Sequence, residues 1–219
     1  MKLLNEAVES FEIHEERKDG EEPKYYLEGI FLQANIRNRN GRIYPMDVMK
    51  PEVERYITTY VNEGRALGEL GHPCSSSNTP NINLERVSHK IEKVWQDGDY
   101  FKARALILDT PYGKIAKELI KSGCKLGVSS RALGSVIRRN GTDYVGKDFR
   151  LITAGDIVWE PSAQAAFPEG IVEDVDWEFD EATGEWTKAI PEELDIDRLS
   201  KMQADEFAEF LESLKNKHK

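Results

Sequence analysis

Val87-Ser88-His89-Lys90-Ile91-Glu92-Lys93-Val94-Trp95-Gln96-Asp97-Gly98-Asp99-Tyr100-Phe101-Lys102-Ala103-Arg104-Ala105-Leu106-Ile107 is the stretch that decides the fold class. Arg86 to Trp95 and Tyr100 to Leu108 flank Asp97-Gly98, the residue pair that most readily takes the left-handed conformations of a tight turn, so the two runs are expected to pair as an antiparallel hairpin. Downstream, Thr110-Pro111 supplies an N-cap and a first-turn proline. Ile115, Leu119 and Ile120 then fall on one helical face, and Gly123 is placed to stop the helix. Lys125 to Arg138 and Asp143 to Trp159 read as further strands around a second hairpin signal, Asn140-Gly141. Upstream, Tyr25 to Gln33 reads as a strand and Ile36 to Arg42 as a turn-rich loop. From Pro51 onward Val53, Tyr56, Ile57, Tyr60 and Val61 make one apolar helical stripe ending near Gly64. The expected fold is mixed α/β (α+β), with a mainly antiparallel sheet or barrel core and a few flanking helices.

The flanks differ in composition. Residues 1–22 are polar and charge-rich, so folding is expected to start near Lys24 and the domain to span 23–172. Beyond it, 173–219 reads as an acidic tail in which Phe207, Phe210, Leu211 and Leu214 form an amphipathic stripe within Met202 to Lys215. The 219 residues carry a formal charge of −10. Residues 1–168 hold 24 acidic and 24 basic groups, so the excess belongs entirely to 169–219, with 16 and 6. Such a field disfavours nucleic acid or anionic membrane as a partner, because both need clustered Lys and Arg. No apolar run approaches the roughly 20 residues of a membrane span, and the start lacks a signal-peptide core, so a cytoplasmic chain is expected. Cys74 and Cys124 have neither CxxC nor Cys/His metal spacing, so both are expected as reduced thiols without disulfide or structural zinc.

Histidines, a serine with a nearby arginine, and an aspartate carry the possible chemistry. Of the four histidines, His14 and His218 sit in polar flanks. His89 alternates with Val87 and Ile91 and so faces the apolar side of its strand. His72 lies in Leu67-Gly68-Glu69-Leu70-Gly71-His72-Pro73, where a strand-like stretch runs into a loop. In Lys125-Leu126-Gly127-Val128-Ser129-Ser130-Arg131, alternation puts Ser129 and Arg131 together on the face opposite the apolar Val128 and Ala132. Asp156 counts in register with Ile152, Ala154 and Val158, which turns a carboxylate to an apolar surface, where it needs a hydrogen-bonding partner. A hydrogen-bonded structural histidine, a surface serine and a carboxylate capping backbone N–H groups account for the same residues without catalysis. A serine nucleophile needs a base, and an imidazole base needs an orienting group.

Five strings together resemble one family, the prohead core protein proteases of large contractile-tailed bacteriophages. They are Tyr26-Leu27-Glu28-Gly29-Ile30-Phe31-Leu32-Gln33-Ala34; Asn38-Arg39-Asn40 with Arg42-Ile43-Tyr44-Pro45; Ala66-Leu67-Gly68-Glu69-Leu70-Gly71-His72-Pro73; Gly127-Val128-Ser129-Ser130-Arg131-Ala132-Leu133-Gly134-Ser135; and Asp156-Ile157-Val158-Trp159-Glu160-Pro161-Ser162-Ala163. They occur in the family's order over roughly residues 25–167.

The resemblance implies a fold similar to the herpesvirus capsid-maturation protease and a serine endopeptidase acting inside the prohead, in the host cytoplasm, on scaffold or core proteins and the major capsid protein. No cofactor is implied, nor metal, nucleic acid or membrane; self-association is an open expectation. On the matching strings His72 is the general base, Ser129 the nucleophile and Asp156 the third member. His89 is a rival third member, because herpesvirus relatives use a second histidine. Arg131 is a candidate oxyanion donor, with a solvated or substrate-facing role as its alternative. Cleavage after Glu in Leu-x-Glu or Ile-x-Glu is implied, and this chain contains Leu4-Asn5-Glu6, Ile13-His14-Glu15, Ile171-Val172-Glu173 and Ile190-Pro191-Glu192, which suggests self-trimming. A non-enzymatic assembly protein that keeps this fold and binds scaffold through its tail is the alternative.

Overall fold

The computed structural model describes residues 2–8, 11–17, 23–38, 40–73, 80–159, 177–180 and 185–188. The chain enters through β1 (Lys2–Val8), β2 (Phe11–Glu16), β3 (Lys24–Gln33) and the short β4 (Arg42–Ile43). Helix α1 (Met46–Tyr56) follows and widens into a π-helical turn at Ile57–Val61. Next come β5 (Leu67–Glu69), a 3-10 turn at Leu84–Arg86, β6 (Val87–Asp97) and β7 (Tyr100–Ile107). Helix α2 (Pro111–Lys121) leads to β8 (Gly127–Gly134), β9 (Val136–Arg139), β10 (Thr142–Val145) and β11 (Arg150–Val158). A small hairpin of β12 (Trp177–Asp180) and β13 (Glu185–Lys188) is the last described element.

Two antiparallel sheets do most of the building. One runs in the order β2-β3-β7-β6-β5 and the other β1-β8-β11. They meet where Leu70, just past β5, bridges in parallel to Ile157 on β11, and where the Gly71 N–H donates to the Ile157 carbonyl at 2.7 Å. A third small sheet, β4-β10-β9, has β4 parallel to β10. The expected architecture, mostly antiparallel strands with few helices, is the one observed. Between the sheets and α1 lies a core that includes Phe31, Leu32, Met49, Val53, Tyr56, Ile91, Phe101, Val128 and Leu151. A smaller cluster under α2 joins Leu27, Ile107, Ala116, Ile120 and Ile157.

Several local readings are corrected. Folding begins well before Lys24: β1 pairs with β8 along its whole length, β2 pairs with β3, and Leu4 is buried in the main core. Polarity hid these strands because β2 is an edge whose described side chains are largely exposed. The β6–β7 hairpin forms, but Asp97 pairs with Tyr100, so the turn residues are Gly98 and Asp99, with positive φ at Gly98 as in a II′ turn. The Asn140-Gly141 hairpin forms with both residues at positive φ. Helix α1 starts five residues before Pro51. In α2 the Thr110 cap accepts from the Gly113 N–H at 3.1 Å and Gly123 takes φ 79°, as expected. Its buried side, however, is Gly113, Ala116 and Ile120, while Ile115 and Leu119 are exposed. Small residues win that face because the Gly113 backbone packs against the Leu108 carbonyl, where a Cβ would have no room. The tail helix expected at Met202 to Lys215, Cys74 and His218 lie outside the described residues; Cys124 is an exposed free thiol.

Candidate active site

β8 is the middle strand of its sheet, flanked by β1 and β11, and all eight of its residues are buried. The face carrying Ser129 and Arg131 is therefore a covered polar face instead of an open surface. In the β8–β11 ladder Ser129 stands opposite Asp156, so the two side chains project from the same side. This overturns the simple alternation count that turned Asp156 to an apolar surface. The ladder shifts register twice, between Leu151 and Thr153 and between Thr153 and Asp156, and each shift resets which face a residue occupies.

His72 reaches that face from the other sheet. After β5, Gly71 adopts φ 78°, a conformation that costs a residue with a Cβ, and its N–H is held by Ile157 beside Asp156. The imidazole is thereby set between the two side chains: Nδ1 lies 3.0 Å from Asp156 Oδ2, and Nε2 lies 2.7 Å from Ser129 Oγ. An ionised carboxylate only accepts, so Nδ1 carries the proton and Nε2 presents its lone pair to the Ser129 hydroxyl. Such an arrangement can remove the hydroxyl proton and keep the resulting imidazolium paired.

Asp156 is fully buried yet supplied with donors. Its Oδ1 accepts from the Glu69 N–H at 2.9 Å and from Arg131 Nη2 at 3.3 Å, and Arg131 Nε lies 3.2 Å from Oδ2. Burial alone pushes its carboxyl pKa up; the Arg131 charge, the His72 contacts and the Glu69 N–H overcome this and hold it below the usual carboxylate value.

Arg131 is not solvated or substrate-facing. It is 0% exposed, and its remaining donors go to the Pro80 carbonyl at 2.9 Å, the Asn81 carbonyl at 3.2 Å and Glu69 Oε1 at 2.8 Å. Both terminal nitrogens of the guanidinium are thus bonded to protein acceptors and Nε is buried against Asp156, so the group is not presented to an oxyanion. Glu69, also fully buried, accepts the Asn83 N–H at 3.0 Å through Oε1 and faces Arg86 Nε at 3.4 Å through Oε2. Sequence reasoning assigned Glu69 no role; its only signal was an acidic side chain inside a short strand-like run. Asn81 in turn grips the backbone of Trp186 in β13, donating to its carbonyl and accepting from its N–H, both at 3.1 Å.

Neither ring nitrogen of His89 bonds to His72. Its Nε2–H donates to the Gly155 carbonyl at 2.9 Å, so Nδ1 accepts from the Ser88 hydroxyl, also at 2.9 Å. Full burial holds its pKa below the ordinary histidine value, a pull only partly opposed by Asp156 and the Gly155 carbonyl. His14 lies on the exposed edge strand β2, 3.7 Å from Glu12. Among the described residues no cluster of three or more His, Cys, Asp or Glu could hold a metal ion, and no helix is long and apolar enough to cross a membrane.

Residues 4–176 match the family model of the prohead core protein serine protease. The prohead core protein protease of Enterobacteria phage T4 is 35% identical over 193 residues, covering 85% of this chain and 89% of that protein. The solved structure of the bacteriophage T4 capsid assembly protease superposes with a TM-score of 0.66 at 34% identity, covering 73% of this chain and 98% of that one. The matched residues include β8 and β11, which carry Ser129 and Asp156, and the loop after β5 that carries His72. The chain belongs to the prohead core protein serine protease family.

Proposed function

We propose that the chain is a serine endopeptidase of the phage prohead that cleaves scaffold or core proteins and the major capsid protein during capsid maturation, with Ser129, His72 and Asp156 as its triad. One observation carries the reading: His72 spans Ser129 Oγ and Asp156 Oδ2 at hydrogen-bond distance on both sides. The Ser129 hydroxyl attacks the scissile carbonyl as His72 Nε2 takes its proton. His72 then returns that proton to the leaving amine, so that the acyl-enzyme forms and the peptide bond breaks; water repeats the cycle to release the acyl group. Asp156 holds the Nδ1–H tautomer and pairs with the imidazolium.

Cleavage after Glu in Leu-x-Glu or Ile-x-Glu is the substrate preference that the family resemblance supports, and the four such strings in this chain extend it to self-processing. The work would take place inside the assembling shell. Incubation of the full chain with an Ile-x-Glu peptide tests the assignment: turnover is expected from the wild type and loss of it from Ser129→Ala. Equal turnover by both contradicts it.

A further inference from the structure

We propose that Arg131 and Glu69 form a positioning pair that orients Asp156 against His72, making the working unit five residues instead of three. This rests on the Ser129-His72-Asp156 reading. Arg131 sits one pleat beyond Ser129 on the same face of β8, and Thr153, not Asp156, is its ladder partner on β11. The guanidinium therefore lies alongside Asp156 and touches both of its oxygens, through Nη2 and Nε. The Nη2 that reaches Asp156 Oδ1 also binds Glu69 Oε1, so one nitrogen joins two buried carboxylates. Glu69 closes the loop: its side chain holds Arg131, while its backbone N–H holds the same Asp156 oxygen.

A buried arginine with two carboxylates is a costly way to gain stability, since apolar residues of similar volume serve as well or better. What the cluster supplies is direction. The Arg131 Nη2 and Glu69 N–H donors converge on Oδ1 and fix the rotation of the Asp156 carboxylate so that Oδ2 points at Nδ1, and the Arg131 charge holds the Asp156 carboxyl down against its burial. The titratable and charged groups around Asp156 are His72 and Glu69 from β5 and its following loop, Arg131 from β8, His89 from β6 and Tyr56 from α1, with Arg86 behind Glu69. Without Arg131, Asp156 loses the charge that offsets its burial, and its carboxyl takes up a proton at a higher pH.

The experiment uses the full chain in wild-type form and as Arg131→Met, Arg131→Lys and Arg131→Met/Glu69→Gln, with folding followed by thermal melting. Fluorophosphonate labelling of Ser129 and the pH profile of Ile-x-Glu peptide cleavage are read on each. In the wild type, labelling at Ser129 and an acid limb of one proton are expected. Arg131→Met should lose on the order of 100-fold in kcat with little change in KM, as when an orienting donor is removed. Its acid limb should move to higher pH, as the Asp156 carboxyl rises without the Arg131 charge. The double variant should recover its melting temperature yet keep the low kcat, because the orphaned charge is gone but the guanidinium fork that orients Asp156 is still missing. Arg131→Lys, which keeps the charge without the fork, should also stay slow. If Arg131→Met does not fold, the double variant and Arg131→Lys decide between the same outcomes. A folded variant lacking Arg131 with wild-type kcat overturns the proposal, as does a double variant that regains rate together with stability. Absence of label on wild-type Ser129 instead overturns the triad reading, and this proposal with it.

Discussion

Asp156 keeps its charge in full burial because three kinds of donor converge on it, and its value to the site lies in which proton it keeps on His72. Asp156→Asn puts an amide where the acceptor stood; its N–H turned to Nδ1 forces the other tautomer, and Nε2 then offers a proton to Ser129 instead of a lone pair. A loss of about 10⁴-fold in kcat with the fold intact is expected from steady-state cleavage; a loss below about tenfold would show that the carboxylate does not set the tautomer. His89 makes the opposite kind of statement. With its folded pKa depressed from 6.5, the unfolded chain binds a proton below pH 6.5 that the folded chain refuses. Stability from this group is therefore complete above pH 6.5 and declines as pH falls, by at most about 1.4 kcal/mol per unit, until the folded pKa is reached. Chemical denaturation between about pH 7 and 5.5 should show a shallower decline for His89→Gln than for the wild type; equal slopes contradict a neutral buried His89.

At the scale of elements, β5 is short but exactingly placed. A Cβ on Gly68 would come within 2.2 Å of His89 Nε2 and 2.4 Å of the Gly155 carbonyl, neither of which can give way without breaking their mutual hydrogen bond. Gly68→Ala should cost about 1–3 kcal/mol of stability by overpacking and also slow cleavage, since Glu69 and His72 follow on the same segment; denaturation and kinetics on one preparation check both. The motif residues were legible because their chemistry is unusual for their surroundings: a Gly-His-Pro after a strand, a serine in a row of small and basic residues, an acid in an apolar run. Their geometry was less so. Counting by twos along β11 fails at its two register shifts, and nothing in Leu151 to Asp156 announces where an extra residue is absorbed. Arg131 looked available because alternation reports which face a residue takes but not whether that face is covered; the cover comes from Pro80 and Asn81, which are distant in sequence. Glu69 is informative only once its partners are known.

Over the whole molecule, the N-terminal residues are the largest surprise. β1 lies along β8 with Ala7 opposite Ser129 and Glu6 opposite Ser130, and Leu4 is anchored in the core near Gly134. The bonds after Glu6 and Glu15 both lie on edge strands paired on one side, but β1 is anchored by the buried Leu4, whereas the described side chains of β2 are largely exposed. A protease needs chain that opens locally, so in the proposed self-processing the less anchored β2 should open first and a product starting at Glu16 should precede any starting at Ala7. Intact mass over a time course reads the order; an early Ala7 product contradicts it. The strings at Glu173 and Glu192 lie outside the described residues. The acidity of the chain remains where composition put it, in 169–219, whereas the buried charges that matter to the site, Glu69, Asp156 and Arg131, are invisible to any net count.

Whether Ser129 is the nucleophile can be read directly by reacting the folded wild-type chain with a fluorophosphonate and mapping the modified serine by peptide mass spectrometry. A single adduct on Ser129, absent from His72→Ala, is expected, because among the described residues only Ser129 Oγ faces the His72 Nε2 lone pair, at 2.7 Å. An adduct on Ser130, or one on Ser129 that forms equally well without His72, contradicts it.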